Sequence, residues 1–252
     1  METVEDFDFV GSQGSTLSGV LHRPDGPGKG CVLLAHCFTC SKDVNTMTRL
    51  AKGFAAGGYA ALRFDFTGLG DSGGDFADTS VSANVSDLTR AATALIQIGY
   101  GPCGLMGHSL GGAASLLAAH RLKTVRSVIT LAAPSATDHV PHLFADQLPT
   151  LEAGQPATIC VADRPFDLNP GFVSDLGTHE VTDRVSQLGR PYCVIHAADD
   201  GVVGFDNAER LYQAAVEPKR LVTLDQGGHM FSNPAAATKV LDAALTWFDE
   251  TL

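Results

Sequence analysis

Apolar runs alternate with amphipathic stretches along most of the chain. Residues 31–35 form a continuous apolar run. A helical period follows over 46–56, ended by Gly57 and Gly58, and a second apolar run covers 60–66. Residues 81–98 then read as a helix, 103–106 as a short strand, 110–122 as a helix and 127–131 as a strand. The alternation returns over 193–197, 207–215, 220–224 and 235–248. Apolar strands separated by helical crossovers indicate strands covered on both faces. The pattern predicts an α/β fold: a mostly parallel twisted sheet of about eight strands, with helices on both faces.

Two regions depart from this rhythm. At the start, 7–10 and 17–22 flank a Gly/Ser turn at 11–15, which predicts a β-hairpin. Between 134 and 190 the chain is rich in Pro, Asp and His and shows no long periodic helix. Residues 158–161 read as a strand, and Asp167-Leu168-Asn169-Pro170-Gly171 as a turn. A long irregular stretch inside a domain is usually functional, so 134–190 is expected to be a small lid on a single domain spanning 1–252.

Composition narrows the function classes. The 252 residues are 44% hydrophobic, enough for a large core, and the formal net charge is −11. An acidic surface repels phosphate backbones and anionic lipid, so neither nucleic acid nor a membrane is an expected partner. The opening Met1-Glu2-Thr3-Val4-Glu5-Asp6 has no basic or apolar leader character, and no apolar run is long enough to span a bilayer. Six cysteines in a chain of this length do not form a disulfide framework. Cys31, Cys103, Cys160 and Cys193 lie in apolar runs and are expected to act as small hydrophobes. A reducing cytoplasm is the expected location.

The chemistry concentrates at Gly107-His108-Ser109-Leu110-Gly111, where a predicted strand meets a predicted helix. This is the context a G-x-S-x-G elbow requires. The two glycines let strand and helix approach closely, and the serine Oγ projects at the sheet's carboxyl edge. A serine hydroxyl needs a base. The required chain order, nucleophile then acid then histidine, is met by Ser109, Asp200 and His229. Asp199 is the alternative acid. Asp200 is preferred because it lies four residues past His196 and three before Val203. The expected oxyanion donors are the backbone N–H groups of Leu110 and Phe38. Phe38 lies in the loop after the first parallel strand.

Three blocks carry a resemblance: Ala35-His36-Cys37-Phe38-Thr39-Cys40-Ser41-Lys42-Asp43, Leu62-Arg63-Phe64-Asp65-Phe66-Thr67-Gly68-Leu69-Gly70-Asp71-Ser72, and 107–112. They resemble the α/β-hydrolase superfamily, and within it the bacterial hydrolases often fused to an OsmC-like redox domain. Asp206-Asn207-Ala208-Glu209-Arg210-Leu211-Tyr212-Gln213-Ala214-Ala215 fits the same group. The resemblance implies the α/β-hydrolase fold and an esterase-like serine hydrolase without a cofactor. Two departures stand out: the OsmC-like domain is expected to be absent, and Cys37 stands where most of the superfamily has glycine after the histidine.

The leading expectation is hydrolysis of a small-molecule ester, with Phe144, Phe166 and Phe172 as wall residues or as ordinary core aromatics. The same triad could cleave thioesters, amides or C–C bonds, and a ligand receptor could share the scaffold. Gly68-Leu69-Gly70-Asp71-Ser72-Gly73 matches a dinucleotide fingerprint, but no helix is predicted to open from it. Cys37-Phe38-Thr39-Cys40 is a CxxC, yet a redox role is the lesser reading, and serines at both positions are expected to leave hydrolysis largely intact. His139 and His142 read as polar loop residues rather than metal ligands. His108 reads as a packing or hydrogen-bonding residue rather than the base.

Overall fold

The computed structural model describes residues 2–252, apart from the side chains of Asp138 and His139. Four short strands come first: β1 (Thr3–Asp6), β2 (Phe9–Val10), β3 (Thr16–Leu17) and β4 (Gly19–Arg23). Strand β5 (Gly30–Ala35), helix α1 (Asn45–Ala56), strand β6 (Tyr59–Phe64), helix α2 (Val81–Gln97), strand β7 (Gly104–His108), helix α3 (Leu110–Ala119) and strand β8 (Ser127–Leu131) follow. The irregular stretch contributes α4 (Leu148–Glu152), β9 (Ala157–Val161), β10 (Arg164–Leu168), α5 (Gly171–Leu176) and α6 (Val181–Ser186). Strand β11 (Tyr192–Ala197), helix α7 (Asp206–Ala214), strand β12 (Lys219–Leu224) and helix α8 (Pro234–Thr251) close the chain.

Eight strands form the main sheet in the order β1-β4-β6-β5-β7-β8-β11-β12. The pairings β1–β4 and β4–β6 are antiparallel, and the others are parallel. This is the expected α/β-hydrolase architecture. Each central strand alternates between two cores. Cys31, Leu33 and Ala35 face a core shared with α2 and α3, whereas Val32 and Leu34 face one shared with α1 and α8. Truncating a side chain in either core leaves a void, at a cost of roughly 2–5 kcal/mol for leucine to alanine.

The opening differs from the expected hairpin. β2 pairs with β3, but residues 19–23 leave that hairpin and pair with β1 on one side and β6 on the other. β1, Thr-Val-Glu-Asp, is mostly exposed and carries no apolar alternation that could announce it. In the 134–190 stretch, the expected turn at 167–171 is split. Asp167 and Leu168 belong to β10, which pairs with β9, and α5 begins at Gly171. Cys160 on β9 is exposed, unlike the buried Cys31, Cys103 and Cys193, because this two-stranded ribbon lies outside the main sheet.

Helix ends follow local chemistry. The Ser80 side chain accepts from the Ala83 N–H to start α2 (2.9 Å), and Asn233 accepts from Ala235 N–H before Pro234 opens α8 (2.9 Å). No helix begins at 68–73; α2 starts only at Val81. No helix among the described residues is long and apolar enough to cross a membrane.

The chain leaves β5 to one side of the sheet, through β6, and returns to β5's other side as β7. The strand order therefore reverses between β5 and β7. Open α/β sheets bind ligands at such a switch point, beyond the carboxyl ends of the strands. Ala35 and Gly107 are register partners there.

Candidate active site

Ser109 sits between β7 and α3 with φ 55° and ψ −127°, a region that side chains rarely occupy. Tight packing maintains it. A Cβ on Gly107 would lie 2.3 Å from the Gly111 carbonyl oxygen, and one on Gly111 would lie 2.2 Å from the His36 carbonyl oxygen. Only glycine fits either position. The Ser109 N–H donates to Leu131 O (2.9 Å), and the Ser109 carbonyl accepts from Gly112 N–H (2.8 Å), so the turn is tied to β8 and to the first turn of α3. The serine thus stands at a helix N-terminus, where negative charge is favoured.

His229 lies in the loop after β12. Its Nε2 is 2.9 Å from Ser109 Oγ, and its Nδ1 is 2.9 Å from Asp200 Oδ2. The carboxylate can only accept, so the proton of a neutral ring is on Nδ1 and Nε2 is free to accept from the serine hydroxyl. Asp200 lies in the loop after β11 and is anchored by backbone, its Oδ1 accepting from Val202 N–H (2.8 Å) and Val203 N–H (3.0 Å). Burial alone would raise its pKa. Hydrogen bonds from His196 and His229, with the Val203 N–H, outweigh it and hold the carboxyl well below the usual range.

The adjacent Asp199 turns the other way. Its Oδ1 accepts from the N–H groups of Gly227 and Gly228, at 2.8 Å each. The pair of aspartates therefore brackets the histidine: Asp199 fixes the loop's backbone and Asp200 orients the ring. His108 adds a third tie. It is fully buried, and its Nε2–H donates to the His229 carbonyl at 2.8 Å. Burial pushes its pKa down to about 3, so this second imidazole is neutral and donates a hydrogen bond. His108 is expected to pack or to hydrogen-bond; it does the latter, to a partner 121 residues away.

The loop after β5 lies against the elbow, as the His36–Gly111 approach requires. His36 Nδ1 donates to Cys37 O (2.8 Å), and its Nε2 accepts from Phe66 N–H (3.2 Å). Among the described residues, no protein acceptor takes the N–H of Phe38 or of Leu110. At the loop's far end, Lys42 is buried, and its Nζ donates to Asp65 (2.8 Å) and Asp71 (2.6 Å). Burial would lower the lysine pKa, but these carboxylates raise it above its ordinary value. Cys37 and Cys40, the CxxC pair, form a disulfide.

Two of the three candidate wall residues, Phe144 and Phe172, meet at Phe38, and the third reaches it through Phe76. The Phe38 ring stacks on Phe172 (centroids 5.3 Å apart), tilts against Phe144 (6.5 Å) and touches Phe76 (5.7 Å), which packs on Phe166 (5.0 Å). Phe144 and Phe172 are buried in the core, while Phe166 is half-buried. Arg164, on β10, donates to Thr39 O (3.3 Å) and covers the Phe166 ring. The His139 side chain lies outside the described residues, and His142 is exposed.

The profile of the alpha/beta hydrolase family matches residues 32–243. The chain belongs to that family. Among solved structures, this hydrolase is similar to the esterase domain of a Rhodothermus marinus protein, with 33% identity over 99% of both chains and a TM-score of 0.81. Est1E from Butyrivibrio proteoclasticus, solved with ferulic acid, shares 19% identity and a TM-score of 0.81 over 96% of this chain and 98% of that one. A dienelactone hydrolase from Anabaena variabilis shares 21% identity and a TM-score of 0.71 over 100% and 99%. The last two likenesses show the fold alone. No curated protein matches the chain.

Proposed function

We propose that this hydrolase cleaves carboxylic esters of small molecules through an acyl-enzyme on Ser109. The observation that carries the reading is the continuous hydrogen-bonded path from Ser109 Oγ through His229 to Asp200, with both links at 2.9 Å. Similarity to the Rhodothermus marinus esterase domain adds support. In the first half-reaction, His229 Nε2 accepts the hydroxyl proton as Ser109 Oγ attacks the carbonyl carbon. The charge on the acyl oxygen goes to the N–H groups of Phe38 and Leu110, and losing one such donor costs about 10²–10³ in rate. His229 then returns the proton to the departing alkoxide. In the second half, His229 deprotonates a water that attacks the acyl carbon and restores Ser109. Asp200 keeps the proton on Nδ1 and stabilises the imidazolium between these steps.

Residues 134–190 act as a lid in this reading. Their helices are short, the longest α-helix there spanning six residues, so the acyl site is small and short acyl chains are preferred. The setting is cytoplasmic, and no cofactor takes part.

A fluorophosphonate probe with peptide mapping tests the assignment. The expected result is one label per chain, on Ser109, with p-nitrophenyl acetate and butyrate turned over faster than long-chain esters. No labelling of native protein would sink the catalytic reading. Faster cleavage of long-chain esters would sink the small-lid part.

A further inference from the structure

We propose that the Cys37–Cys40 disulfide is a positioning element for hydrolysis: it holds the Phe38 N–H where the acyl oxygen's charge develops, and its reduction slows turnover without unfolding the protein. The inference rests on the Ser109 reading above. The bond spans only Phe38 and Thr39, and Cys40 N–H donates to Cys37 O (3.2 Å) to complete the turn. Within it, Thr39 has φ 58°, a left-handed backbone unfavourable for a β-branched residue. The Phe38 N–H shares the planar Cys37–Phe38 peptide with the Cys37 carbonyl, so the closed turn that keeps Cys40 N–H on Cys37 O also sets the direction of the proposed oxyanion donor.

Most of the loop's other restraints lie at its flanks. His36 fixes the Cys37 carbonyl, and Asp65 fixes Lys42 through its backbone N–H and its ammonium. Between them, the Phe38 ring is packed against aromatics and the Thr39 hydroxyl donates to Phe38 O (2.7 Å), but neither contact touches the Cys37–Phe38 peptide that carries the donor. Arg164 reaches Thr39 O from an exposed strand. The disulfide is thus the covalent restraint on the segment that carries the donor. A ring this short constrains an unfolded chain less than a long-range bridge does, so its main effect is local.

The bond is also accessible. Cys37 is 4% exposed, whereas Cys40 is only half-buried. A dithiol reductant therefore attacks the Cys40 sulfur. The Cys37–Cys40 bond breaks, a mixed disulfide forms at Cys40, and the Cys37 thiolate leaves and takes a proton. The reductant's second thiol then closes on its first sulfur and releases the Cys40 thiol. Two electrons and two protons pass to the protein, and the reductant leaves as its cyclic disulfide. Disulfides that do occur in reducing compartments are usually transient or redox-sensing. This proposal departs from the expectation that serines at both positions leave hydrolysis largely intact, because the two cysteines are bonded to each other.

The test measures kcat and KM on p-nitrophenyl acetate before dithiothreitol treatment, after it, and after removal and reoxidation. Thiol titration and far-UV circular dichroism follow each state. We expect two new thiols, unchanged dichroism, kcat lower by roughly 10- to 100-fold, KM within about twofold, and recovery on reoxidation. Cys37→Ser/Cys40→Ser should match the reduced parent and ignore dithiothreitol. Equal kcat with two thiols titrated would overturn the inference, as would a double variant as fast as the oxidised parent. Loss of dichroism on reduction would overturn it too, by assigning the bond to global stability. An oxidised protein that neither turns over esters nor labels at Ser109 fails the hydrolase reading itself and takes this inference with it.

Discussion

The elbow at Ser109 and the loop at 36–43 leave neighbouring strands at the same sheet edge, yet they are held by opposite means. The elbow is held by crowded backbone. Gly107 and Gly111 have no room for a methyl group, and Ser109 is tied through its own N–H and carbonyl. The loop is held by side chains: the His36 imidazole, the Lys42–Asp65–Asp71 cluster and the Cys37–Cys40 bond. One region should therefore fail when volume is added, and the other when a partner is removed.

The sharpest break in the first region is Gly111→Ala. Its Cβ would sit 2.2 Å from the His36 carbonyl and 2.8 Å from the Ala35 carbonyl. Neither strand end can yield, because Ala35 is paired with Gly107. We expect a loss above about 3 kcal/mol, read as a lowered urea midpoint, or no soluble protein.

Lys42→Met is the corresponding break in the loop. It keeps the side-chain volume but leaves the Asp65 carboxylate, 0% exposed, without its cation. Removing one member of a buried ion pair costs about 3–5 kcal/mol. The exposed end at Asp71 places this case at the lower bound. Adding Asp65→Asn should recover part of the loss, and a double variant no better than the single would contradict this account.

Acid should weaken both regions in the same way. His108 beside the elbow and His36 in the loop are buried, and burial holds both below their ordinary pKa of 6.5, His108 at about 3. Between those limits the unfolded chain takes up a proton that native His108 refuses. Its contribution to stability is therefore complete above about pH 6.5 and declines as pH falls towards about 3, by at most about 1.4 kcal/mol per pH unit. Urea midpoints from pH 7 to pH 4 should fall steadily, and a flat profile would contradict neutral buried imidazoles.

The smallest effect is expected from Asp199→Asn. The amide oxygen can still accept from Gly227 and Gly228, and the site is open to solvent, so kcat should drop less than about tenfold. A loss as large as the roughly 10⁴-fold expected on neutralising the orienting acid would move that role from Asp200 to Asp199.

What the sequence announced was local or ordered along the chain. The glycine spacing around Ser109 encodes its own turn, and Ser109, Asp200 and His229 each follow a strand whose end lies at one sheet edge. Long-range polar ties were silent. Nothing near Asp199 names Gly227 and Gly228 as its partners, and His108 bonds a carbonyl brought in by a distant strand. Strand β1 was missed because its exposed residues show no apolar period, and Cys160 because an apolar run on an outlying ribbon looks like one in the sheet. The Cys37–Cys40 spacing was plain, but whether it closes depends on a backbone turn around Thr39 that sequence does not display.

If Ser109 attacks the ester, kcat on p-nitrophenyl acetate must collapse in Ser109→Ala. The variant removes only the hydroxyl, so the fold and the His229–Asp200 bond should persist. A fall of about 10⁵-fold or more relative to the parent is expected. A folded Ser109→Ala protein within tenfold of the parent would contradict the attack by Ser109.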